Sequence, residues 1–132
     1  MKKRQANGMK RVMKLRDAAS AHGIGFEFYP ARGGDPVPGF QSVFLYETDA
    51  EFVISRIRSR YPLVDPENGE SVEAFDPCWD NPVPAKIWEE IVRELEALRP
   101  VDPAEAAFVR EFARWAREAL EAGEYVTIVG NL

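Results

Sequence analysis

"IGFEFY" (Ile24–Tyr29) and "FQSVFLYE" (Phe40–Glu47) are the two stretches whose reading decides the fold. In the first, Ile24, Phe26 and Phe28 alternate with Glu27 and Tyr29, the period of a strand with one apolar face. Between the two lies "PARGGDPVPG", Pro30–Gly39, a loop by its glycine and proline content. A connection this short reverses the chain, so the two strands are expected to pair antiparallel. A third apolar run, "EYVTIV" (Glu124–Val129), closes the chain and is expected to dock beside this hairpin.

Helical spacing dominates elsewhere. A helix is expected over Met9–Ala21, where Val12, Leu15 and Ala19 share a face and Gly23 offers a left-handed C-cap; its basic start opposes the helix dipole. Thr48 and Glu51 have the spacing of a capping box, placing a helix that turns Phe52, Val53 and Ile57 inward and stops before Pro62. From Pro84 to Leu98 the residues Ile87, Ile91, Leu95 and Leu98 recur on one face, widened by Trp88 and Val92. Asp102, Pro103 and Glu105 then make a helix start, and Phe108, Val109, Phe112, Trp115, Ala116, Ala119 and Leu120 carry that helix to Gly123. The order α-β-β-α-α-α-β is that of a small α+β domain, with helices on one face of a mostly antiparallel three-stranded sheet. Residues 1–8 read as a basic tail and 9–132 as one domain with a long acidic connection at 61–83.

Composition agrees with that class. A chain of 132 residues fits one domain and buries roughly two thirds of its unfolded surface. Its 45% hydrophobic and 30% charged residues are the balance of a globular protein. One cysteine allows no internal disulfide, so the core alone must hold the fold, and a reducing cytoplasm is the simpler fit. "MKKRQANGMKRVMKLRDAA" has no apolar run behind its basic start, unlike a signal peptide, and no stretch approaches the ~20 apolar residues of a membrane span. Charge is unevenly spread. Residues 1–60 hold 11 Lys/Arg against 6 Asp/Glu, and residues 61–132 hold 6 against 16.

Several chemistries can be set aside. With only Cys78 and His22, a four-ligand structural zinc site is excluded and no metal or cofactor is expected. The glycines of "ARGGDPVPG" lack the lysine of a phosphate-binding loop and lead into a strand. The Gly-x-Ser-x-Gly elbow is absent. Asp76 and Asp80 flank Cys78 and would raise its thiol pKa, so it reads as a buried or half-buried structural residue rather than a nucleophile. His22, at an expected helix end, reads as a cap rather than a general base. Among 22 carboxylates no pair stands out for acid–base work, and no enzyme activity is expected. Nucleic-acid binding would rest on Lys2, Lys3, Arg4, Lys10, Arg11, Lys14 and Arg16, with no aromatic interleaved among them and a strongly acidic remainder.

What remains is "LVDPENGESVEAFDPCWDNPVP", Leu63–Pro84. It exceeds the ~12–15 residues beyond which loops are usually functional or disordered. Phe75 and Trp79 are aromatic anchors of a kind a solvating linker does not need, and Pro62, Pro66, Pro77, Pro82 and Pro84 stiffen it. Asp65, Glu67, Glu70, Glu73, Asp76 and Asp80 surround the anchors with no Lys or Arg between Tyr61 and Pro82. Anchors ringed by one charge combine buried area with steering toward an oppositely charged partner. In general type, though in no alignable motif, such a domain is similar to the immunity proteins that neutralise basic bacterial toxins. The expectation is a cytoplasmic, non-catalytic binder of a basic protein. A nucleic-acid-associated regulator using the N-terminal arm is the alternative, and a small enzyme with carboxylate chemistry the third.

Overall fold

The computed structural model describes residues 10–15 and 23–132. In chain order these form β1 (Arg11–Met13), β2 (Gly25–Arg32), β3 (Asp35–Pro36), β4 (Val43–Tyr46), α1 (Glu51–Arg58), β5 (Leu63–Val64), β6 (Ser71–Val72), β7 (Asp80–Pro84), α2 (Ala85–Ala97), α3 (Pro103–Ala122) and β8 (Tyr125–Gly130). The main sheet runs β1-β4-β2-β8-β7, with β3 folded back on β2. β2 and β4 are the expected antiparallel hairpin, with Phe26 opposite Leu45 and Phe28 opposite Val43. β8 docks against the other side of β2, Phe26 opposite Gly130 and Ala31 opposite Tyr125. The class is α+β with a mostly antiparallel sheet, but the sheet has six strands rather than three.

The extra strands are short or carry unusual residues. Arg11–Met13, expected as helix, is a strand parallel to β4, with Met13 4% exposed and Val12 42% exposed as two-residue alternation requires. Lys10, Lys14 and Leu15 flank this strand without helical structure, while Met9 and residues 16–21 of the expected helix, with His22 and the basic residues Lys2, Lys3, Arg4 and Arg16, lie outside the described residues. β2 continues through Pro30 to Arg32 and reverses at Gly33 and Gly34, whose φ values of 59° and 88° are left-handed, as a two-residue hairpin turn demands. β7 contains Pro82 and Pro84, which an edge strand accepts because the missing N–H points away from the partner strand. The same prolines keep a further strand from adding there.

Helices cover one face. Phe28 meets the rings of Phe112 at 5.1 Å and Trp88 at 6.1 Å, both edge-on, and the indole N–H of Trp88 donates to the Val126 carbonyl at 3.0 Å. Val53, Ile54 and Ile57 of α1, and Ile91 and Val92 of α2, complete this core. Asp102 caps α3, accepting the Ala104 N–H, as its spacing with Pro103 implies. The capping box at Thr48 does not form. α1 starts instead from turns in which Ala50 is the N-cap, without a side-chain hydrogen bond.

Gly130 sets how closely the acidic connection approaches the sheet. A Cβ there would stand 2.0 Å from the Pro77 carbonyl oxygen and 2.6 Å from its carbon, backbone atoms that cannot rotate aside. Gly130→Ala is therefore expected to destabilise the protein by about 1–3 kcal/mol, the usual cost of overpacking, measured as a lowered urea midpoint. An unchanged midpoint would show that Pro77 is not held against this strand.

Candidate protein-binding surface

The acidic connection is built, not loose. Its first part is the β5–β6 hairpin, Leu63 opposite Val72. Asp65 shapes the tip: its N–H donates to the Glu70 carbonyl at 2.8 Å, its carbonyl accepts the Gly69 N–H, and its carboxylate accepts the Glu67 N–H at 2.7 Å. Gly69, at φ 77°, supplies the left-handed residue this reversal needs. Glu67 reaches the far end of β8, where the Tyr125 hydroxyl donates to its carboxylate.

The second part is a turn at Asp76–Asp80, pinned from beneath by Asn81. This side chain, 4% exposed, accepts the Asp76 N–H at 2.7 Å and donates to the carbonyls of Asp76 (2.7 Å), Trp79 (2.9 Å) and Ile128 (3.2 Å). The Asp76 carboxylate accepts the Cys78 N–H at 2.9 Å. The chain end closes the arrangement: the Gly130 N–H donates to the Trp79 carbonyl and the Leu132 N–H to the Pro77 carbonyl, each at 3.2 Å. With its backbone held from several sides, Trp79 is nevertheless 51% exposed, and Leu132 beside this turn is 43% exposed.

The residues singled out from sequence thus separate. Phe75, expected as an anchor for a partner, is 8% exposed and packs against Phe26 (5.9 Å) and Tyr61 (6.2 Å) under the Arg58 guanidinium. It holds the connection to the core, because its ring falls on the inward side of the segment while Trp79 falls outward. Asp76, Trp79 and Asp80 share the pinned turn, whereas Asp65, Glu67 and Glu70 belong to the hairpin tip. Tyr125 and Gly130, which mark these two ends along β8, are five residues or roughly 17 Å apart. A protein interface covers about 800 Å² per partner, roughly 30 Å across, so both groups lie within the span of a single interface. Glu73 lies exposed between β6 and the turn.

Cys78 is exposed rather than buried; its thiol donates to the Leu132 carbonyl at 3.0 Å. Asn81 is the residue that sequence reasoning missed, since an asparagine between Asp80 and Pro82 carries no signal beyond "loop". Of the basic N-terminal residues described, Arg11 pairs with Glu111 and Lys10 sits over the Phe44 ring at 4.8 Å.

The electrostatics are uneven in a specific way. Among the described residues, the helix acids Glu90, Glu94, Glu96 and Glu111 are paired with Arg60, Arg56, Arg117 and Arg11. Asp65, Glu70, Glu73 and Asp76 take part in no ion pair among those residues. No group of acids, cysteine or histidine among the described residues is arranged to hold a metal ion. Neither a groove of about 650 Å³ between α2 and α3 nor a cavity of about 220 Å³ beside Asp49 is lined by the acidic connection. Comparison with known protein families, with curated proteins and with solved structures finds no match.

Two tyrosines register how the connection is seated. Burial, then the Glu67 hydrogen bond, push the Tyr125 phenol well above its ordinary range, and burial with the Asp65 charge pushes Tyr61 up to about 12. The native state therefore favours the protonated phenols. That stability is present in full below the ordinary tyrosine value of about 10 and is lost as pH rises toward the folded-state values. Stability measured by urea unfolding is expected to begin falling near pH 10, and Tyr125→Phe should make the alkaline decline shallower. An equal slope in the variant would remove Tyr125 from this account.

Proposed function

We propose that this chain is a non-catalytic protein-binding domain, an intracellular inhibitor of the immunity-protein type that occludes a basic partner with its acidic connection. The observation that carries the reading is Trp79: a half-exposed indole on a turn whose backbone is fixed by Asn81 and the end of β8, with the Asp76 carboxylate, in no ion pair among the described residues, on the same turn. A fixed turn loses little conformational freedom on binding, so more of the contact energy is left for affinity. An exposed tryptophan is among the side chains most often found as an interface anchor. Carboxylates left without cations steer a positively charged surface toward it. No helix among the described residues is long and apolar enough to cross a membrane.

The partner is to be sought by capture from the native host at low and at high ionic strength. A basic protein retained at low salt and released at high salt is expected; no protein partner at low salt would sink the proposal. With the partner in hand, Trp79→Ala should weaken binding by about 2 kcal/mol or more, roughly 30-fold, mainly through faster dissociation. The free variant should melt within about 0.5 kcal/mol of the parent, because the side chain is not part of the core. Glu70→Lys with Glu73→Lys should instead slow association and flatten its salt dependence.

A further inference from the structure

The groove between α2 and α3 lies on the flank of α3 away from Phe112, whose ring meets the sheet at Phe28. Its floor is apolar: Leu95, Val109 and Ala113 are buried and Leu98 is half-buried. Its volume, about 650 Å³, is within the range of roughly 300–1,000 Å³ that small-molecule sites occupy. The rim is where this acidic protein is locally cationic. Arg110 and Arg114, one turn apart on α3, are exposed and have no acidic partner among the described residues. Arg99 donates to the carbonyls of Glu96 (2.9 Å) and Leu98 (2.8 Å), so it covers the negative end of α2 that would otherwise repel an anion.

The form of the groove restricts what can fill it. Arg117 of α3 donates through two nitrogens to the Glu96 carboxylate of α2, at 2.6 and 2.8 Å, bridging the helices across the groove. From Ala106 to this bridge α3 advances eleven residues, about 16 Å. A helix of another protein could not lie along the trench without breaking this bridge, which leaves the groove to a slimmer occupant. Beyond the bridge, Glu118 and Glu121 make the far end acidic and give the groove a direction.

We propose that this groove binds a slim amphipathic anion, a free straight-chain carboxylate, with its head group on Arg110 and Arg114 and its chain on Leu95, Leu98, Val109 and Ala113. Guanidinium pairs bind carboxylates through parallel N–H donors, and the apolar floor takes the chain out of water. The site is separate from the acidic connection, so it stands or falls independently of the function proposed above.

The test uses the whole protein and two soluble amphiphiles of equal chain length, dodecanoate and dodecyltrimethylammonium, both below their aggregation concentrations. Calorimetric titration should show dodecanoate binding at least 10-fold tighter, with amide shifts in ¹⁵N spectra concentrated at Leu95, Leu98, Val109 and Ala113. Arg110→Glu with Arg114→Glu should weaken dodecanoate at least 10-fold and leave the melting temperature unchanged, and the paired Lys variants should keep most of the binding. Equal affinity for the two amphiphiles, shifts elsewhere, or an unaffected Glu variant would overturn the proposal. So would binding to phosphatidylglycerol vesicles as tight as to free dodecanoate, which would make the groove a membrane contact.

Discussion

The indole N–H of Trp88 donates to the carbonyl of Val126 inside a fully buried core, and the arrangement of the protein depends on this contact. Val126 sits on β8, the last strand in sequence, between β2 of the first hairpin and β7 at the edge. Tying α2 to β8 therefore fixes the helix on the strand that joins the first hairpin to the edge strand. An unmade hydrogen bond at a buried indole would cost about 1–3 kcal/mol, so the register of α2 over the sheet is narrowly specified. Phe28 and Phe112 close around the same ring, which brings β2 and α3 to the same point. Everything on the outer side of β8, including the turn that presents Trp79, inherits its position from this junction.

Asn81 does for the connection what Trp88 does for the core. A turn of five residues with a proline at its second position has few ladder partners available, and its buried carbonyls need donors. One amide side chain supplies them for Asp76, Trp79 and Ile128 and takes back the Asp76 N–H. Because the backbone is satisfied from within, Trp79 need not turn inward to stabilise the segment. That frees it for the surface, while Phe75, one residue before the turn, supplies the apolar attachment.

Much of the fold was legible because long elements repeat their pattern often enough to be recognised. α2 and α3 show their apolar faces over several turns, and Asp102–Pro103 marks a boundary with a physical cause. The apolar alternation of β2, the compact run of β4 and the apolar run at β8 were equally plain, though β2 runs three residues further than its alternation suggests. β1 was not legible: three residues offer less than two periods, and its parallel pairing to β4 arises from contacts distant in sequence. β7 was hidden by its prolines, which argue against a strand everywhere except at an edge, and sequence does not say which strand is the edge. At the site, the acidity and the exposed tryptophan could be read, but the opposite fates of Phe75 and Trp79 could not. Four residues apart in an irregular segment, they follow no periodic rule, and only the position of Asn81 beneath the turn separates inside from outside.

The division of charge along the sequence also changes meaning in three dimensions. Residues 61–132 are strongly acidic, yet on the helices part of that acidity is met internally, since Arg56 and Arg60 of the first half meet Glu94 and Glu90 of the second. Exposed pairs of this kind contribute little to stability, on the order of 0–1 kcal/mol. Their larger consequence is for the field around the protein: paired helix acids and arginines nearly cancel at a distance. Asp65, Glu70, Glu73 and Asp76 have no such compensation among the described residues, so the connection keeps its charge, as Glu89, Glu105, Glu118 and Glu121 do on the helices. The arginines of the α2–α3 groove make the converse case, with Arg110 and Arg114 above an apolar floor and in no ion pair among the described residues. The connection and the Arg110–Arg114 rim of the groove thus carry charge of opposite sign. At the roughly 8 Å screening length of physiological salt each region acts only on what comes close to it.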